Sequence, residues 1–325
     1  MNEVSEVILE KAIKSHASDI FIFPAIGGYE IKIRTALGLS KIKELGQQAG
    51  KELLNYFKFQ AQMDISERRR PQVGAYQTKF GDEKVFLRFS SVGEFEGDES
   101  LVIRLIYGEK SNNYFLSEQF DLLKRLTNQR GLIVTSGPTG SGKTSTMYEL
   151  AQLVGKEKVV MTIEDPVEVW NPNFLQTQVN LVAGIAYPDL LKAALRHRPD
   201  ILIIGEIRDQ ETAKISINAA LSGHLVLATI HAKTALQTIS RLEELGITKD
   251  ELCNCLTAVS YQRLLPIKNQ NKVACLMDIR YGTILDQAIA FNDNRHDLSN
   301  WQSNLEQLVE RGKISEDTKH LYEEG

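Results

Sequence analysis

Cysteine is scarce. Cys253, Cys255 and Cys275 are the whole supply in 325 residues, an odd number that cannot close a disulfide framework and suits a reducing compartment. A Cys-x-Cys pair plus one distant thiol falls short of the four ligands a structural zinc takes, so no zinc is expected. Long apolar runs are missing too. No stretch approaches the roughly eighteen residues needed to span a bilayer, and the opening MNEVSEVILEKAIKSH is acidic from Glu3, unlike a signal peptide. An excess of positive charge is lacking: 38 Lys and Arg against 42 Asp and Glu leave a net charge of −4. A general nucleic-acid surface leaves a basic footprint. The single cationic run, Arg68-Arg69-Arg70 before Pro71, reads as a solvated loop, so direct nucleic-acid binding is not expected. Internal repeats and low-complexity tracts are absent.

What remains is the composition of a folded globular protein, 42% apolar and 25% charged, at a length that accommodates two domains. Residues 1–107 read as an α+β domain: an amphipathic helix at 3–15, strands at 19–23 and 29–34, a helix at about 50–62, then strands at 74–80, 84–90 and 101–107. A polar linker is placed at 108–117. Beyond it, short β-rich runs at 132–135, 159–163, 201–204 and 225–230 alternate with helical segments near 118–129, 143–155, 187–197, 210–222 and 234–245. That alternation implies an α/β core, 118–265, around a parallel sheet buried on both faces. Further helical segments are expected over 249–263 and 298–323, with a strand and helical tail making up 266–325.

The core opens on Gly137-Pro138-Thr139-Gly140-Ser141-Gly142-Lys143-Thr144, which fits G-x-x-x-x-G-K-[ST] between a buried strand and a helix. Glycines let backbone N–H groups turn inward around phosphates, and the helix start adds its positive dipole end. Lys143 is positioned for the β- and γ-phosphates, the Thr144 hydroxyl for Mg²⁺, and Ser145 completes the cradle. ATP and Mg²⁺ are therefore the expected ligands. Hydrolysis requires an acid at a neighbouring strand end. Residues 201–206 (ILIIGE) supply Glu206, with glycine in front of the acid. A second strand end carries Glu164, Asp165 and Glu168, three acids within five residues that repel one another unless a cation or hydrogen bonds compensate. His224 and His231 bracket the run 225–230. They lie too far apart along a strand to touch one phosphate, and His231, at the carboxyl end where α/β ligands bind, is the better phosphate sensor.

In order, GPTGSGKT, TIEDPVE, LRHRPDILIIGEIRD and SGHLVLATIHAKTA resemble the Walker A, aspartate, Walker B and histidine boxes of the type II secretion/type IV pilus ATPase family. HASDIFI (16–22) and DISERRRPQVGAY (64–76) are similar to its N-terminal segments, and VSYQRLLP (259–266) to its post-core helix. The resemblance covers about residues 3–280. It implies a RecA-like P-loop core with a smaller PAS-like N-terminal domain, and hydrolysis of Mg-ATP. In that reading Glu168 is general base, Glu206 the Walker B acid near Mg²⁺, and Glu164 a support of the metal shell. Arg88 (LRFSS) and Arg104 (VIRLI) match N-terminal arginines that reach phosphate on closure. It also implies a homo-hexamer on the inner face of the membrane, pushing on a polytopic platform protein. Set against the family, no zinc insertion, no extra leading domain and no retraction-type tail motif are expected, and QVGAY lacks the family's usual arginine. The pattern is that of the short competence-pseudopilus branch, which serves DNA uptake. A retraction motor, a type II secretion ATPase and a nucleotide-gated scaffold are the other readings.

Overall fold

The computed structural model describes residues 2–35, 38–81, 83–108, 113–180, 183–270, 272–291 and 297–325. Part of the expected linker, 109–112, lies outside them. The chain divides into two compact units, Met1–Gly108 and Glu109–Gly325. Among the described residues no helix is long and apolar enough to cross a membrane.

The first unit runs α1 (Asn2–Lys14), β1 (Asp19–Ala25), β2 (Gly28–Thr35), β3 (Gly38–Gly46), α2 (Gln47–Gln60), β4 (Gln72–Phe80), β5 (Glu83–Gly93) and β6 (Glu99–Ile106). Its strands form one antiparallel sheet in the order β3-β2-β1-β6-β5-β4. Every second residue of β1 and β2 turns inward, so Ile20, Ile22, Ile31 and Ile33 are buried with Leu53, Leu54 and Phe57 of α2. Burying each such side chain stabilises the fold by roughly 1.5–3 kcal/mol. An ion pair lies within this apolar layer. Lys58 of α2 is 0% exposed and donates to both oxygens of the buried Glu99, at 2.7 and 2.9 Å, and to the carbonyl of Glu67 at 2.6 Å. Removing one member strands the other charge in the interior. Lys58→Ala is therefore expected to cost about 3–5 kcal/mol of stability, measured as a lowered denaturation midpoint of the intact chain; a midpoint unchanged from wild type would show that Glu99 finds water instead.

The second unit runs α3 (Ser117–Leu126), β7 (Gly131–Ser136), α4 (Lys143–Val154), β8 (Val160–Glu164), β9 (Leu175–Gln178), α5 (Tyr187–His197), β10 (Ile201–Ile204), α6 (Gln210–Leu221), β11 (Leu225–Ile230), α7 (Gln237–Glu244), α8 (Lys249–Cys255), β12 (Leu256–Pro266), β13 (Val273–Tyr281), α9 (Gly282–Phe291), α10 (Ser299–Glu310) and α11 (Glu316–Tyr322). Its seven strands are ordered β13-β12-β7-β11-β10-β8-β9, parallel throughout except for β13. Strands β7, β8, β10 and β11 are buried at every residue, as a sheet covered on both faces requires. This is the RecA-like P-loop fold.

Two sequence expectations are corrected here. The helix expected over 249–263 stops at Cys255, and 259–266 is not a post-core helix but most of β12, which lies between β13 and β7 in the sheet. Five consecutive residues of β12, 258–262, are buried, which erases the alternation that would mark a strand. Beyond β12, β13 pairs with that strand along its whole length, and α9 and α10 bury Leu285, Trp301 and Leu305 in the core of the second unit. Of the three thiols, Cys255 and Cys275 are buried, which pushes each up to about 12, and Cys253 is exposed.

Candidate functional site

The parallel strands deliver their functional residues to one edge. Across the carboxyl ends the order is the glycine-rich loop after β7, His231 after β11, Glu206 after β10 and Glu164 to Glu168 at the end of β8. Together they wall a cleft of about 500 Å³.

The loop is held by its glycines and by β12. Gly137 has φ +142°, and a Cβ there would stand 2.4 Å from the carbonyl oxygen of Gln262. No other residue fits between the loop and β12. From the same Gln262, Nε2 donates to the carbonyl of Ser141 at 2.7 Å, fastening the far side of the loop. Gly142, φ 82°, turns the chain into α4, so the first N–H groups of that helix open onto the cleft. Lys143 Nζ donates to the carbonyls of Gly137 and Pro138, at 2.8 and 2.9 Å. Burial holds this ammonium below its ordinary value, against the opposite pull of the Glu206 and Glu168 charges. Thr144 Oγ1 donates to Glu168 Oε2 at 2.9 Å. Two hard oxygen donors thus stand side by side at the base of the loop. Thr139, Gly140, Ser141 and Ser145 also line the cleft; Pro138 turns to its neighbouring face.

The acids divide into two kinds. Glu206 is braced from both sides, by Arg208 Nε at 2.5 Å and by His231 Nε2 at 3.1 Å. Arg208 also reaches Asp165 at 3.5 Å, and its pairing with Glu206 raises its already high value. Glu164 turns the other way. It is 2% exposed, its Oε1 accepts from Tyr148 Oη and, at 2.7 Å, from Thr162 Oγ1, and burial raises its carboxyl. Held in this way it anchors the acidic loop from behind while still lining the cleft. Tyr187 ties the two strand ends together: its hydroxyl donates to the carbonyl of Ile163 at 2.6 Å and accepts from the N–H of Glu206 at 3.4 Å. Gly205 accounts for the glycine ahead of the acid, since a Cβ there would lie 3.3 Å from Glu164 and from the Tyr187 hydroxyl.

Arg88 and Arg104 belong to the sheet of the first unit. Register sets Arg34, Asp19, Arg104 and Arg88 in one row across β2, β1, β6 and β5. Arg104 Nε donates to Asp19 Oδ1 at 3.0 Å, and Arg34 lies over the Phe21 ring at 4.9 Å. The row carries three guanidinium groups against one carboxylate. His224 sits at the opposite end of β11 from His231, with Nδ1 3.0 Å from the Ala219 carbonyl.

Four positioning residues had no role assigned from sequence: Gln262, Tyr187, Tyr148 and Arg208. Arg208 lay inside a motif, GEIRD, and its spacing of two from the acid was the available signal. The other three act across long sequence separations that no local pattern reports.

A cleft of this kind, on this fold, is that of a P-loop nucleotide-binding protein. The family model for the Type II/IV secretion system protein matches residues 1–314, and the chain belongs to that family. It is 38% identical over 315 residues to "Competence protein ComGA" of Streptococcus pneumoniae, spanning 97% of this chain and 96% of that one. To the protein of the same name in Bacillus subtilis it is 36% identical, over 96% and 94%. Among solved structures, the pilus retraction motor PilT with bound ADP superposes with a TM-score of 0.79 at 24% identity, covering 97% of this chain and 95% of that one. At that identity the likeness is one of fold.

Proposed function

We infer that the chain is an ATP hydrolase that drives assembly of a competence pseudopilus. The observation that carries this reading is a single cleft in which a glycine cradle, Lys143, Thr144 and two carboxylates from different strand ends converge. The near full-length likeness to the two competence proteins supports the biological setting.

In this reading the N–H groups of 137–145 and Lys143 bind the phosphates of ATP. Glu168 orients the attacking water and accepts its proton. Glu206 is held in place by Arg208 and His231, so His231 senses the γ-phosphate through the acid it contacts. The donor set fits Mg²⁺: hydroxyl and carboxylate oxygens in one place suit a hard cation that takes one or two carboxylates and completes its shell with phosphates and water. Thr144, beside Glu168, and Glu206 on the next strand end would hold it, and it would supply neutralisation of charge on the phosphates. Glu164 supports the loop that carries Glu168. Arg88 and Arg104 add positive charge when the first unit closes on a nucleotide. The working form is a hexamer at the cytoplasmic face of the membrane, acting on a polytopic platform protein.

Phosphate release by the purified chain, with molar mass measured with and without a non-hydrolysable ATP analogue, tests this. Mg²⁺-dependent release and a nucleotide-stabilised hexamer of the 36.5 kDa chain are expected. Nucleotide binding with release no faster than the buffer blank would replace the motor by a nucleotide-gated scaffold.

A further inference from the structure

The nucleotide cleft occupies the carboxyl edge of the parallel sheet. At the amino edge, about 20 Å away along a six-residue strand, a second concavity of about 570 Å³ plays no part in the reaction proposed above. Four loops lead there into four neighbouring strands, β7, β11, β10 and β8. Each contributes one basic side chain: Arg130 before β7, His224 before β11, Arg198 before β10 and Lys158 before β8. With neighbouring strands about 4.8 Å apart, the four side chains start from points spread over about 14 Å.

These cations are not spent on internal ion pairs. Among the described residues no salt bridge ties Arg130, Lys158 or Arg198 to an acid, and all three are exposed. The one acid of the lining, Asp200, accepts from the N–H of Val159 at 2.8 Å. In a chain of net charge −4 such a concentration runs against the average. The backbone also accommodates it. Arg198 ends α5 with φ 51° and ψ 56°, a conformation that glycine adopts freely and other residues resist. Gly223, φ +89°, leaves room for the Arg130 guanidinium, because a Cβ there would stand 3.0 Å from Nη1. The His224 Nδ1 contact with the Ala219 carbonyl engages that nitrogen and leaves Nε2 for a second partner.

A lone phosphate engages one guanidinium fork, whereas this site is several times wider. On an extended chain, residues two apart face the same side about 7 Å apart. Acids at three alternate positions therefore span about 14 Å, the spread of the four loops. We propose that the amino-edge concavity binds an extended acidic segment of a partner protein, with carboxylates at alternate positions meeting Arg130, Arg198 and Lys158. The proposal is independent of hydrolysis, which takes place at the other edge.

The test is fluorescence anisotropy of a labelled peptide of four Glu-Ser repeats on the full chain at low ionic strength, beside a Gln-Ser peptide of equal length. The acidic peptide is expected to bind at least about tenfold tighter, weakening as salt screens the exposed charges. Arg130→Gln with Arg198→Gln should bring it down to the level of the neutral peptide. Arg130→Glu with Arg198→Glu should reverse the preference toward a Lys-Ser peptide. Basal phosphate release is expected to stay within about twofold of wild type in both double variants. Equal binding of the acidic and neutral peptides, or undiminished acidic-peptide binding by the glutamine variant, overturns the proposal. So does inorganic tripolyphosphate displacing the peptide at a tenth of the concentration that unlabelled peptide needs, which would make this a phosphate site.

Discussion

Lys143→Ala is expected to lower ATP turnover at least about a hundredfold, the scale on which enzymes lose rate when one preorganised donor to a developing charge is removed. The ammonium is held in a partly buried position by two carbonyls of its own loop, with burial working against its charge. Such a group gains most when an anion of several charges arrives, because the phosphates supply the counter-charge that the carbonyls lack. A charge-assisted hydrogen bond of this kind contributes about 1.5–3 kcal/mol, so nucleotide affinity should also fall about tenfold or more. The free protein should scarcely change, since the two carbonyls it leaves can turn to water at the open cleft. Thermal denaturation separates the two effects. Wild type should be stabilised by about 2.7 kcal/mol at a nucleotide concentration of a hundred times Kd, and the variant, with a Kd at least about tenfold higher, by about 1.4 kcal/mol or less, while melting normally without nucleotide. A variant that keeps both the shift and the turnover would remove Lys143 from the site, and with it the reading of the loop as a phosphate cradle.

How much of this was legible in advance depended on how local each interaction is. The glycine-rich loop is read from eight consecutive residues because its function lies in its own backbone, and the neighbouring strand ends announce Glu206 and Glu168 by ending apolar runs in acids. The alternation of strands and helices likewise predicts a parallel sheet in the second unit. What fastens the site is non-local. Gln262 holds Ser141 from 121 positions away, and it stands on β12, a strand whose buried run at 258–262 lacks the period of two. Tyr187 joins the ends of β8 and β10 from a helix between them. Glu164 shows the same limit: the sequence places it among three acids, but only the fold shows Tyr148 and Thr162 converging on its Oε1 at the wall of the cleft. Strand order carries a further lesson. Because β11 lies between β7 and β10, His231 is interposed between the phosphate loop and Glu206, a neighbourhood that chain order does not suggest.

Glu168→Gln is expected to separate binding from chemistry. The substitution keeps the shape and an oxygen to accept from Thr144, whose hydroxyl lies 2.9 Å from the carboxylate, while removing the charge that accepts a proton. General-base catalysis contributes about 10²–10⁴-fold, so turnover should fall by that range with nucleotide affinity equal to wild type or tighter, since one negative charge facing the phosphates is gone. Glu206→Gln makes the informative contrast. That carboxylate is gripped by Arg208 and His231, so neutralising it releases both and disturbs the bound state along with the rate. Single-turnover phosphate release and nucleotide affinity, measured on both variants, distinguish a base from a brace. If Glu168→Gln turns over within about threefold of wild type while Glu206→Gln is inert, the base is Glu206. Glu168 then serves only to hold Thr144, and the attacking water is deprotonated from the side of β10 rather than from the loop after β8.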